Sequence, residues 1–169
     1  TFNPATLEPM PGLAERWEIS EDKTVYTFYL RSDAYFDNGT LLTAQDLKNS
    51  WLRLLHPREQ ADYSVLLDPV KGAFEYRTGK LRNTAEIGLK VLNDKTFQVI
   101  LKEPAAHFIR VLSHHSLVPV SPDNLMGRIW APTRGIVGNG PFSIDSISAE
   151  EIVLSRNDWY WDKENVQID

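Results

Sequence analysis

The sequence predicts an α+β (mixed α/β) fold in which antiparallel hairpins are joined by several short helices. Three observations lead there. Strand-forming runs come in pairs across polar turns, at 15–19 with 24–30, 87–92 with 96–102, and 142–147 with 152–155. The helical stretches fall between these pairs rather than after every strand, which is not the βαβ alternation of a doubly wound sheet. A chain of 169 residues, 42% hydrophobic and 24% charged, has the apolar content to bury a core and is not disordered in composition.

Residues 1–11 carry Pro4, Pro9 and Pro11 and read as an extended lead-in. The run Thr24-Val25-Tyr26-Thr27-Phe28-Tyr29-Leu30 is β-branched and aromatic throughout, and the polar turn at 20–23 makes it the second arm of a hairpin. Asp37-Asn38-Gly39 supplies a turn whose residues tolerate positive φ. Thr43 opens the clearest helix. Its hydroxyl can cap the first turn, Asp46 favours the positive end of the dipole, and Ala44, Leu47, Trp51, Leu54 and Leu55 recur at helical spacing until Pro57. A second helix is expected over 69–78, closed by Gly79, and a third from Pro104 with Phe108, Val111 and Leu112 on its apolar face. Residues 117–120 read as extended, and Ser121-Pro122-Asp123 as the start of a short helix.

Composition removes several function classes. With 18 basic against 23 acidic residues, a net charge of -5 and no Lys/Arg-rich run, a nucleic-acid binder is disfavoured. The absence of cysteine excludes disulfides, Cys-ligated zinc, iron–sulfur clusters and a cysteine nucleophile. No apolar run is long enough for a transmembrane helix.

The candidate chemistry is thin. His114-His115 invites a metal, but adjacent side chains in a regular element point apart and no third ligand stands at ligand spacing, so a helix-end role is expected, as for His56 and His107. Gly135-Ile136-Val137-Gly138-Asn139-Gly140 lacks both the GxGxxG order and a Walker Lys-Ser/Thr, and it leads into Pro141 rather than a helix. It reads either as a tight structural turn or as a close backbone approach to a ligand. Acid pairs such as Glu150-Glu151 fall in polar turns, unsuited to acid–base catalysis, and no Gly-x-Ser-x-Gly elbow exists. Three consecutive rings, Trp159-Tyr160-Trp161, cannot share one face of a strand, so at least one is expected to stay half exposed unless further protein covers it.

Several ordered motifs carry a family resemblance. Pro11-Gly12-Leu13-Ala14-Glu15-Arg16-Trp17, Tyr26 to Arg31, Phe36-Asp37-Asn38-Gly39-Thr40, Leu42 to Asp46, Ser50-Trp51, Gly72-Ala73, Gly138-Asn139-Gly140-Pro141-Phe142 and Arg156-Asn157 through Trp161 follow one another along nearly the whole chain. Together they resemble the peptide/nickel class of extracytoplasmic solute-binding proteins, and most of all the oligopeptide- and dipeptide-binding receptors of ABC importers. The chain departs from that pattern where Glu8-Pro9-Met10-Pro11 follows Thr6, a point at which the class usually carries a longer segment with a strand.

The resemblance implies part of the first lobe of a longer clamshell receptor, with 1–31 and 117–169 in the lobe core, 32–116 as an appended subdomain, and the second lobe outside this chain. It implies binding rather than catalysis, no cofactor, no metal and no nucleic acid. The expected partners are a peptide and an ABC permease, the expected state is a monomer, and the expected location is periplasmic or a cell-surface lipoprotein. A nickel chelate, a sugar or another small molecule is the alternative cargo, and a small hydrolase the more distant alternative. Tyr63 matches a position facing the peptide cleft, with a buried aromatic cap as the other reading, and Asn139 and Gly140 match the turn near hinge and cleft.

Overall fold

A computed structural model describes residues 1–3, 5–126, 129–130 and 135–168. The chain forms two compact units, one of Thr1–Arg31 with Thr43–Val118 and one of Ser32–Leu42 with Pro119–Asp169. The lobe partition expected from the sequence concerns a longer receptor. These units concern packing within this chain, and they put 1–31 with 43–118 because the first hairpin belongs to the larger unit's sheet.

In the first unit, β1 (Ala14–Ile19) and β2 (Val25–Leu30) form the expected hairpin. Its turn is fastened by Asp22, whose carboxylate accepts from the Ser20 hydroxyl at 2.6 Å and from the Thr24 amide and hydroxyl at 3.1 and 2.9 Å. These bonds hold the Asp22 carboxyl below its ordinary range. The alternation of β2 buries Tyr26, Phe28 and Leu30 on one face.

Thr43 caps α1 (Ala44–Leu54) as expected: Thr43 and Asp46 form a reciprocal capping box, and Ala44, Leu47, Ser50 and Trp51 face inward. A 3₁₀ turn at Asp62–Leu67 follows, then α2 (Ala73–Arg77), shorter than the stretch expected over 69–78. Strands β3 (Leu89–Asn93) and β4 (Thr96–Ile100) form the second hairpin, and the four-stranded antiparallel sheet runs in the order β1-β2-β4-β3.

Opposite Phe28 on β2 stands Phe97 of β4, and the Trp51 ring meets Phe97 edge-on at 5.3 Å, so α1 closes the buried face of the sheet. The indole N–H of Trp51 donates to the Leu117 carbonyl at 2.9 Å, which ties the segment after the third helix to the same core. That helix, α3 (Phe108–Val111), is a single turn; Phe108 packs edge-on against Tyr26 at 5.2 Å, and the Tyr26 hydroxyl donates to the Ala105 carbonyl at 3.3 Å. Burial pushes the Tyr26 phenol above its ordinary pKa.

Gly88 permits one close approach that fixes the second hairpin's start. A Cβ there would lie 2.3 Å from the Ile100 carbonyl oxygen. The spacing is stitched by Gly88 N–H to Lys71 C=O (2.8 Å), Ile100 N–H to Gly88 C=O (2.7 Å) and Lys71 N–H to Ile100 C=O (2.9 Å).

The second unit holds the two-residue strands β5 (Leu125–Met126) and β6 (Ile129–Trp130) and the hairpin β7 (Phe142–Ile147) with β8 (Ile152–Arg156), the third pair expected from the sequence. Ser121 caps the short 3₁₀ turn Pro122–Asn124, as its Ser-Pro-Asp start foretells. Gly39 turns the chain with φ +80, and the Trp159 ring lies over it, so that a Cβ would meet Trp159 Cζ2 at 3.0 Å. Trp159 also leans on Tyr35 at 5.4 Å yet stays 49% exposed, in line with the expectation for the triple-aromatic run.

Candidate functional site

The three residues singled out by the sequence fall in different units, Tyr63 in the first and Asn139 with Gly140 in the second. Tyr63 sits on the 3₁₀ turn that follows α1 and is 48% exposed within this chain. Its ring lies 4.4 Å from that of His114 and 5.6 Å from that of His115.

The two histidines do not point apart. Their rings stand 4.2 Å from each other, because His114 is extended (φ -70, ψ 135) while His115 opens the 3₁₀ turn His115–Leu117, so neither obeys the periodicity of a regular element. His114 takes the cap position of that turn, its Nδ1 accepting from the Ser116 amide at 3.2 Å. An Nδ1 used as acceptor carries no hydrogen. The result is a partly exposed cluster of three rings that are tilted or edge-on to one another. Among the described residues no group of three or more His, Asp or Glu side chains is placed to hold a metal ion.

In the second unit, Asn139 and Gly140 stand together in the loop that enters β7. Neither has positive φ, and a Cβ on Gly140 would meet nothing within 4 Å, so glycine is not required there by the fold. The Asn139 amide donates to the Pro119 carbonyl at 3.0 Å, and the Gly140 carbonyl accepts from the Asn157 amide at 2.8 Å.

The residues that hold this loop are ones that sequence reasoning missed. Asn124 and Asn157 are each only 2% exposed, and Asp37 bonds both the N–H and the C=O of Gly138, at 3.1 Å through Oδ2 and 2.9 Å through its own amide. Asn38 in turn donates to Asp123 at 2.6 Å. The signal available was weak: Asn124 and Asn157 lie outside regular helix periodicity, where side-chain amides often replace backbone partners.

The electrostatics of the first unit's outer sheet face are separate from both features. On β1, Arg16 pairs with Glu18 at 2.5 Å and lies over the Tyr29 ring, whose hydroxyl donates to Glu18 at 3.0 Å. These donors hold the Glu18 carboxyl below its ordinary range, on a surface where such a pair adds little to stability. No helix among the described residues is long and apolar enough to cross a membrane.

Solved structures that superpose on this chain include the substrate-binding domain of an oligopeptide ABC transporter from Bacillus anthracis, with a TM-score of 0.84 at 32% identity over 94% of this chain and 31% of its own. A periplasmic oligopeptide-binding protein of an oligopeptide ABC transporter from Borrelia burgdorferi superposes with a TM-score of 0.89 at 34% identity, over 99% of this chain and 34% of its own. The model of bacterial extracellular solute-binding proteins, family 5 Middle, matches residues 8–169, and the chain belongs to that family. Among curated relatives, the dipeptide-binding protein DppE of Bacillus subtilis is 33% identical over 165 residues, covering 96% of this chain. The periplasmic oligopeptide-binding protein OppA of Salmonella typhimurium is 37% identical over 165 residues, covering 95%. The chain spans 30% of the length of each of these two relatives.

Proposed function

We propose that this chain is part of the substrate-binding component of a peptide ABC importer, one that captures short peptides outside the cytoplasm and delivers them to a membrane permease. The observation that carries the reading is that relatives matched along nearly the whole chain, at 33% and 37% identity, are named for binding dipeptides and oligopeptides. The half-exposed Tyr63 ring supports it, since an aromatic side chain held by its neighbours gives a ligand contact area at low entropic cost. In this reading Tyr63, Asn139 and Gly140 face the ligand, 1–31 and 117–169 belong to the first lobe, and 32–116 is its appended subdomain. Two lobes closing over the peptide would sequester it, and the closed form would dock on the permease.

Isothermal titration calorimetry on the full-length protein with di- to pentapeptides tests the proposal. Binding at micromolar affinity or tighter is expected, weakened in Tyr63→Ala, with the isolated 169-residue chain binding far more weakly because it holds only part of the cleft. Peptides that fail to bind where a nickel chelate or a sugar succeeds would refute it. Tight peptide binding by the isolated chain would refute the two-lobe part alone.

A further inference from the structure

The chain carries two Asn-Gly steps, Asn38-Gly39 and Asn139-Gly140, and both lie in the second unit. Glycine has no Cβ to shield its amide nitrogen and its backbone bends freely, so that nitrogen can reach the carboxamide of an asparagine just before it. The attack closes a five-membered ring within one dipeptide and needs no reagent but water and hydroxide. Nitrogen and carboxamide must both be free to meet.

At Asn38 every group that the reaction uses is engaged. The Gly39 N–H donates to the Phe36 carbonyl at 2.9 Å, Nδ2 of Asn38 donates to the Asp123 carboxylate at 2.6 Å, and its Oδ1 accepts from the Thr40 amide at 3.0 Å. The turn also fixes Gly39 at φ +80 beneath the Trp159 ring, where a Cβ would meet Cζ2 at 3.0 Å. At Asn139 the attacking group is unengaged. The Gly140 N–H has no partner among the described residues, and a Cβ on Gly140 would meet nothing within 4 Å. The carboxamide keeps one bond, from Nδ2 to the Pro119 carbonyl at 3.0 Å. The bonds that hold the flanks go to Gly138 and to the Gly140 carbonyl, and they pass the nitrogen by.

We propose that Asn139 is a site of spontaneous conversion to aspartate and isoaspartate, and that its turn holds Asn38 out of the same chemistry. Hydroxide takes the Gly140 N–H proton, the nitrogen bonds to Asn139 Cγ, and the Cγ–Nδ2 bond breaks, Nδ2 leaving as ammonia with a proton returned by water. One water then opens the succinimide. Addition at Cγ yields aspartate, and addition at the main-chain carbonyl yields isoaspartate, whose backbone runs through Cβ and Cγ and is one carbon longer. Each product adds a negative charge. In the aspartate an oxygen also takes the place of Nδ2 opposite the Pro119 carbonyl, so the bond that ties 139 to 119 is lost.

Reaching the reactive arrangement breaks three hydrogen bonds at Asn38, one of them to a carboxylate, and one at Asn139. Asn139 is therefore expected to convert at least about tenfold faster than Asn38 in the folded protein, since the worth of a single such bond is already close to tenfold.

The test incubates the full-length protein in mildly alkaline buffer and follows aspartate and isoaspartate at both positions by tryptic mapping with electron-transfer mass spectrometry. In urea, where neither turn exists, the two steps are expected to convert at similar rates, so the ratio in the folded protein reports the turns and not the dipeptide. Asp123→Ala, which removes an exposed acceptor, should speed conversion at Asn38 several-fold and leave Asn139 as it was. Gly140→Ala should slow conversion at Asn139, because the added carbon shields the attacking nitrogen. Equal rates at the two sites in the folded protein, faster conversion at Asn38, or conversion at neither while both convert in urea would overturn the inference, as would rates that ignore either substitution. No ligand enters the readout, so its failure leaves the receptor reading standing.

Discussion

Replacing Gly88 with alanine would set a methyl carbon 2.3 Å from the Ile100 carbonyl oxygen, with the Ile100 carbonyl carbon and Cβ both at 3.1 Å. Ordinary contact begins at 3.4 Å, so the two backbones must part by about 1 Å, and no side-chain rotation can relieve a clash with main chain. That separation acts on the three hydrogen bonds that join Gly88, Lys71 and Ile100 at 2.7 to 2.9 Å. Losing two of them costs roughly 2 kcal/mol, and overpacking adds about 1–3 kcal/mol, for a total near 3–5 kcal/mol. A loss of that size is a large fraction of the roughly 5–15 kcal/mol that holds an ordinary domain together. Guanidinium unfolding of the full-length protein, followed by tryptophan fluorescence, reads it directly. Gly140→Ala serves as the comparison, because its Cβ would enter open space at ordinary φ, and its cost should stay within about 0.5 kcal/mol. A Gly88→Ala loss below about 1 kcal/mol would refute the reasoning, since it would mean that the strand pair relaxes without giving up its ladder.

Two further outcomes follow from single buried contacts. Tyr26→Phe removes a phenol that burial holds above its ordinary pKa. Stability of the native protein is full below the ordinary tyrosine range and declines as pH rises past about 10, where the unfolded chain ionises more readily, so the variant should flatten the alkaline end of a stability–pH curve measured by urea unfolding. Gly39→Ala combines a strained φ of +80 with a methyl 3.0 Å from the Trp159 ring. It should cost about 1–2 kcal/mol, and because the ring can swing away, its displacement should appear as a red shift of tryptophan emission in the folded state.

Much of the fold was legible because its elements are locally consistent. The alternation of 24–30, the capping residues Thr43 and Asp46, and the polar turns between strand pairs each carry a physical reason that needs no distant partner. The misjudged elements are those where a distant contact decides. Residues 69–72 stay out of α2 because Val70 bridges Leu101 and Lys71 bonds Ile100. The third helix is a single turn because Ala105 and Phe108 are set by the Tyr26 ring and hydroxyl rather than by helical periodicity.

The candidate residues were harder to read, for a reason that the loop before β7 makes plain. Gly138, Asn139 and Gly140 look alike in sequence as permissive turn residues, yet the structure bonds them differently: Gly138 has both backbone groups bonded to Asp37, while those of Asn139 have no partner among the described residues. That difference is written at positions 37, 124 and 157, far along the chain, whose side chains complete hydrogen bonds that a strand would otherwise supply. The same holds for Tyr63, whose ring neighbours His114 and His115 lie about 50 residues away and meet it only because their segment is irregular. The family resemblance, not composition or spacing, singled out Tyr63. Which polar groups of the loop before β7 stay unbonded depends on bonds between distant segments, so a substitution at position 37, 124 or 157 should change the bonding of this loop without altering the loop's own residues.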